Sequence, residues 1–273
     1  MSEEVEKKGP MKTFAIRHPF LFGLLVALIG TLSQTWPLWW PGLSQSAQIL
    51  LARVSGIVIA VFLLTWFNWW QEASFTRFHS WKTLLPYLPL ILLVLLGFAS
   101  LIETNGINVT NPGMILFEAV SFLAGGFMEE ALFRGVILRA FLPCRLLDAA
   151  LLSAVVFSLS HLPNLLLGQD LGTTMMQLVR ACLVEFAFVA PLAYTRNIWP
   201  LIILHALINF SSFLSSGNIT LISTESPTIA QVLSEVTLFG LMSGYGYWLL
   251  HRVEQRSEGS VVIIEQAYTR LSR

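Results

Sequence analysis

Apolar residues run along this chain in long blocks, separated by short polar stretches. A membrane-crossing helix needs about 20 mostly apolar residues, and eight blocks approach that length: Phe20–Thr35, Gln48–Asn68, Thr83–Ile102, Met114–Phe141, Leu146–His161, Thr173–Thr195, Trp199–Ser215 and Thr228–His251. The pattern predicts an all-α, polytopic transmembrane helix bundle of about eight spans. Residues 1–19 form an N-terminal segment, 20–251 the membrane domain and 252–273 a tail. Met1–Pro19 is too long and too acidic for the start of a signal peptide, and no small-residue cleavage pattern follows Phe20–Thr35, so that block is expected to be retained as a span.

Charge placement orients the bundle. Lys and Arg collect in cytoplasmic loops. Here every Lys and Arg except Arg53, Arg134 and Arg180 falls in the N-terminal segment, the tail, or the connections after blocks two, four and six. The intervening loops Trp36–Ala47, Glu103–Gly113, Leu162–Gly172 and Ser216–Pro227 contain none. This alternation predicts cytoplasmic termini. Tryptophans (Trp36, Trp39, Trp40, Trp66, Trp69, Trp70, Trp81, Trp199) cluster near block ends, as an interfacial belt does.

Composition agrees. Of the 273 residues, 55% are hydrophobic and 12% charged, whereas a soluble domain carries roughly twice that charged fraction. A soluble enzyme, a nucleic-acid binder and a disordered chain are thereby set aside. Net charge is 0, and Cys144 and Cys182 are too few and too far apart for a disulfide framework or a metal knuckle. The surroundings expected are the lipid bilayer, with no nucleic acid.

Ionisable groups inside spans cost about 2.5–3.5 kcal/mol each on insertion scales, so each is a functional candidate. Block four carries Glu129, Glu130 and Arg134. Glu130 and Arg134, four apart, share a helix face and can pair. Glu129 is turned about 100° away and has no such partner. A carboxylate without a neutralising cation suits general-base chemistry; a purely structural clamp would not need a second glutamate. His161 ends block five, while His205 and Asn209 stack on one face of block seven. Helix geometry puts Glu129 and Asn209 at comparable depths and His161 nearer the outer side, the weakest match of the set.

Three motifs now stand in order: EExxxR (Glu129, Glu130, Arg134), FxxxH (Phe157, His161) and HxxxN (His205, Asn209). Together they resemble the CAAX protease and bacteriocin-processing (CPBP) family of intramembrane proteases, which includes the Rce1 CAAX prenyl endopeptidases. The likeness covers about Met114 to Ser212. It implies an intramembrane endopeptidase acting on a membrane-anchored protein or peptide. Glu129 would activate water, with His161 holding it. His205 and Asn209 would stabilise the oxyanion, and Arg134 would fix the glutamate pair through Glu130. The family has also been described as metalloproteases, in which case Glu129, His161 and His205 could hold zinc. No HExxH occurs, and Asn209 suits an oxyanion better than zinc, so the glutamate mechanism without a cofactor is favoured. The other readings are a proton-coupled transporter and a non-catalytic immunity or scaffold protein. The charge asymmetry fits a bacterial inner (plasma) membrane, the setting expected, as well as a eukaryotic internal one.

The remaining candidates are expected to be structural. Glu118 could widen a polar path but suits a membrane interface better, Asp148 suits the N-terminal dipole of block five, and Arg180 and Glu185, five residues apart, are each expected to meet a neighbouring helix or the interface. Glu235 has no assigned role. Gly125-Gly126, and Gly240 with Gly244 at GxxxG spacing, predict close helix packing.

Overall fold

Residues 10–78, 80–103, 106–107, 109, 111–217 and 223–271 are described by a computed structural model, without the side chains of 10, 11, 103 and 257–271. The expectations that rest on Lys7, Lys8, Arg270 and Arg273 lie outside the described residues or side chains. Nine helices are described: α1 (Pro10–Arg17), α2 (Pro19–Thr35), α3 (Gln45–Phe67), α4 (Leu88–Glu103), α5 (Pro112–Glu130), α6 (Leu146–Leu159), α7 (Leu171–Thr195), α8 (Trp199–Ser216) and α9 (Ile229–Leu271). The all-α expectation holds.

Local sequence explains the boundaries. Ser44, Asn111 and Asp170 cap α3, α5 and α7 by accepting from backbone N–H groups of Ala47, Gly113 and Met114, and Thr173. Each cap satisfies donors that the first helical turn leaves open. Pro19, Pro112 and Pro200 sit in first turns, where a missing N–H costs nothing. Asn68, Arg196 and Gly217 end their helices in the left-handed region, with φ of 53°, 51° and 66°. Asp148 lies in the first turn of α6, as expected.

Among the described residues, six helical stretches are long and apolar enough to cross a membrane: Pro19–Trp39, Gln45–Phe67, Trp81–Ile102, Leu146–Leu165, Leu171–Thr195 and Trp199–Ser216. They coincide with six of the eight blocks. The other two blocks are also helical. One is α5, which carries Glu118, Glu129 and Glu130; the other opens α9, which continues to Leu271. Large apolar side chains such as Val58, Phe62, Leu92, Leu95, Leu96 and Leu241 point outward. In water such a surface is an aggregation hazard, while against lipid tails it is the favourable one. The protein is an integral, multi-pass membrane protein.

Packing places α5 between α3 and α8, with α8 also against α4, and α7 against α6 and α9. The expected close approach at Gly125-Gly126 is present. A Cβ on Gly126 would stand 2.9 Å from the Ile202 carbonyl oxygen of α8, and one on Gly125 3.0 Å from the Arg53 guanidinium carbon. The expectation for Gly240 and Gly244 is overturned, because neither has a heavy atom within 4 Å of where its Cβ would be. Gly246 makes the contact instead, 3.1 Å from the Ala187 Cα of α7. Spacing alone does not say which face of a helix has a neighbour. Trp69 likewise leaves the interfacial belt. It is buried and stacks on Phe67 at 4.5 Å.

Candidate active site

From Glu130 the backbone of α5 passes without a break into a π-helical segment, Ala131–Ile137, and a last α-helical turn, Leu138–Phe141. π segments are rare and frequent at functional sites. This one carries Arg134, and all its residues are buried. The Arg134 guanidinium approaches Glu130 at 3.0 Å, the expected i, i+4 pair, and also Glu185 of α7. These are charge–charge contacts rather than well-aligned hydrogen bonds. Phe157 and Phe188 flank the guanidinium at 5.1 and 5.0 Å from their ring centroids, a cation–π arrangement favoured where water is excluded. Glu185 in turn accepts from the Ser153 hydroxyl at 2.9 Å.

His205 joins this buried set from α8. Its Nδ1 lies 2.5 Å from the Glu130 carboxylate. That contact fixes the ring and leaves Nε2 for the other side, where Glu129 Oε2 stands 3.6 Å away. Glu129 therefore has a neighbour, although not a fixed cation, and its side chain keeps 19% exposure where Glu130 has none. The two adjacent glutamates differ as helix geometry predicts: one is bound into the ion cluster, the other faces open space.

That space is a cavity of about 600 Å³. Glu129, His161, His205 and Asn209 all line it. His161, which helix depth put nearer the outer side, is thus brought to the same cavity from the turn that follows α6. Its Nδ1 donates to the Phe157 carbonyl at 3.0 Å, since a carbonyl can only accept, and Nε2 is left to accept. The four-residue spacing of FxxxH is this i, i−4 contact. The Phe157 ring meets His161 edge-on at 4.9 Å and also flanks Arg134, so one phenylalanine links the histidine to the ion cluster.

Among the described residues, no group of three His, Cys, Asp or Glu is gathered closely enough to hold a metal ion. Glu129, His161 and His205 share a cavity but do not fit zinc as a ligand set in this arrangement.

Glu185 is the member of the site that the sequence reading did not assign to it. The expectation that Arg180 and Glu185 pair with neighbouring helices holds: Arg180 meets Glu235 of α9 at 3.4 Å, which also gives Glu235 a partner. What the spacing lacked was any sign that Glu185 reaches Arg134. Glu118 corrects its expectation. It is 1% exposed and buried within the bundle rather than turned to an interface.

Residues 111–211 match the sequence family described as type II CAAX prenyl endopeptidase Rce1-like. The match covers α5 to most of α8 and agrees with the stretch that carries the three motifs. Comparisons with curated proteins and with solved structures give no match.

Proposed function

We propose that this chain, whose residues 111–211 match the Rce1-like family, is an intramembrane endopeptidase of the glutamate type. The observation that carries the reading is that Glu129, His161, His205 and Asn209, from three separate helical regions, line one cavity.

Amide hydrolysis needs a base beside the attacking water and donors aimed at the oxyanion that develops. Glu129, partly exposed to the cavity, takes the water proton. His161, oriented by the Phe157 carbonyl, offers Nε2 as an acceptor and holds that water. His205 is set for the opposite task. A His205 protonated at both nitrogens pairs with the buried Glu130 carboxylate. Nδ1–H then donates to Glu130, and Nε2–H is presented to the cavity for the oxyanion. Asn209, one turn further along α8, supplies the second donor through its amide. Collapse of the tetrahedral intermediate breaks the C–N bond, and the proton held by Glu129 passes to the leaving amine. The substrate is a membrane-anchored protein or peptide, and the setting proposed is a bacterial inner membrane with both termini cytoplasmic.

The test is cleavage of a fluorogenic peptide by the detergent-purified protein. Glu129→Gln is expected to abolish turnover. His205→Ala is expected to lower it by about 10²–10³, the usual effect of losing one oxyanion donor. Full activity in both variants sinks the proposal. Metal content and chelator sensitivity address the zinc alternative: activity lost together with one equivalent of zinc, and restored by it, overturns the glutamate mechanism.

A further inference from the structure

The proposed reaction leaves two charged side chains of the cavity without a task, Arg180, which is paired with Glu235, and Arg53. Arg53 comes from α3, outside residues 111–211, and lines the same cavity as Glu129, His205 and Asn209. Its Nη1 donates to Gln34 of α2 at 3.2 Å, and Gln34 also lines the cavity. Its Nε is buried without a hydrogen-bond partner. Among the described residues, the ion pairs within 4.0 Å do not include Arg53. An arginine within a span is costly to insert, and here only a neutral amide holds it.

Its position relative to the reacting groups follows from α5. The guanidinium lies against Gly125, where a Cβ would come within 3.0 Å of it. Gly125 and Glu129 are four apart and therefore on one face, about 6 Å along the helix axis. An extended peptide advances about 3.3 Å per residue. Glu118, buried on that same face two turns before Gly125, has a carboxylate oxygen without a hydrogen-bond partner. It tempers the charge of Arg53 from outside ion-pair distance.

We infer that Arg53, held by Gln34, is a substrate-recognition residue that binds a carboxylate of the peptide about two residues from the bond attacked at Glu129. This inference rests on the cavity being the peptide site proposed above. The carboxylate has two possible sources, the free carboxyl terminus or an acidic side chain.

Binding, read without hydrolysis, separates the two ideas. Three fluorescein-labelled apolar pentapeptides are titrated by anisotropy onto the Glu129→Gln protein in detergent: one with a free carboxyl terminus, one amidated, and one amidated but ending in aspartate. The free acid is expected to bind about tenfold more tightly than the amide, the low end for a charge-assisted contact. Arg53→Gln on the same background is expected to erase that difference while leaving the amide's affinity unchanged. An aspartate peptide that follows the free acid assigns the site to any carboxylate; one that follows the amide assigns it to the terminus. Equal binding of acid and amide, no binding of any peptide, or a preference that survives Arg53→Gln overturns the inference. If Arg53→Gln does not accumulate, Gln34→Leu takes its place, and an unchanged preference is then the overturning result. Discrimination in binding without any cleavage by the wild type refutes the protease and keeps the carboxylate site. Cleavage without discrimination does the reverse.

Discussion

At Glu185 the sequence offers a buried carboxylate but not its partner. The structure supplies Arg134 and Ser153, both from other elements. Removing one member of a buried ion set leaves the rest uncompensated, at a cost of about 3–5 kcal/mol. Glu185→Gln is therefore expected to lower the thermal midpoint in detergent markedly and to reduce activity, because the cluster that orients His205 loosens. Glu129→Gln is expected to abolish activity and leave the midpoint nearly unchanged, since Glu129 is partly exposed to the cavity and the closer partner of His205 is Glu130. A midpoint for Glu185→Gln equal to that of the wild type would show that Glu130 alone holds Arg134. The pair Glu130–Arg134 was legible because helical neighbours follow from a spacing of four. The Arg134–Glu185 contact joins α5's continuation to α7 and has no local signature. The five-residue gap between Arg180 and Glu185 said only that each needed a partner elsewhere, and that much was right.

Between elements, the site depends on how closely α5 approaches its neighbours, and two glycines set that distance by different means. A Cβ on Gly126 meets the backbone carbonyl of Ile202, which cannot move without shifting α8 and with it His205. A Cβ on Gly56 meets the Met128 side chain, overlapping its sulfur and 2.6 Å from its Cγ. Methionine is unbranched and adaptable, although Met128 is fully buried. Overpacking of this kind costs about 1–3 kcal/mol, so Gly126→Ala and Gly56→Ala are both expected to lower the thermal midpoint. They differ in what repairs them. Adding Met128→Ala is expected to restore much of the midpoint lost in Gly56→Ala, and no side-chain truncation is expected to restore Gly126→Ala. Repair of neither variant by Met128→Ala would refute the assignment at Gly56. The pairing of small residues at Gly125-Gly126 was readable beforehand, whereas Gly240 and Gly244 had the same small-residue character and, among the described residues, pack on nothing. Spacing gives a face, and only the arrangement of helices says whether that face is covered.

For the whole molecule, the strongest statement in the sequence concerns orientation. Apolar blocks foretold the helices, and the absence of Lys and Arg from alternate loops predicts their direction, because both signals are carried by long stretches rather than by single contacts. The cavity was less legible: helix rise alone put His161 at a different depth from Glu129, and it was the turn after α6 that removed the mismatch. Orientation can be tested at Cys144, a free and exposed thiol between the end of α5's continuation and α6, in the connection that carries Arg145 and follows Arg139 in the last helical turn. By the Lys and Arg rule this connection is cytoplasmic. In a Cys182→Ser background, a membrane-impermeant maleimide is expected to label Cys144 in inside-out membrane vesicles and not in intact cells. Labelling from intact cells would invert the bundle, and with it the side from which a substrate must reach Glu129. The same orientation puts the capped start of α5 on the outer side and Arg139 on the inner side, so Arg53, packed against Gly125, sits further from the cytoplasm than Glu129. A peptide whose carboxylate rests on Arg53 then threads outward past the glutamate, and a label at Cys144 reports which face of the membrane it came from.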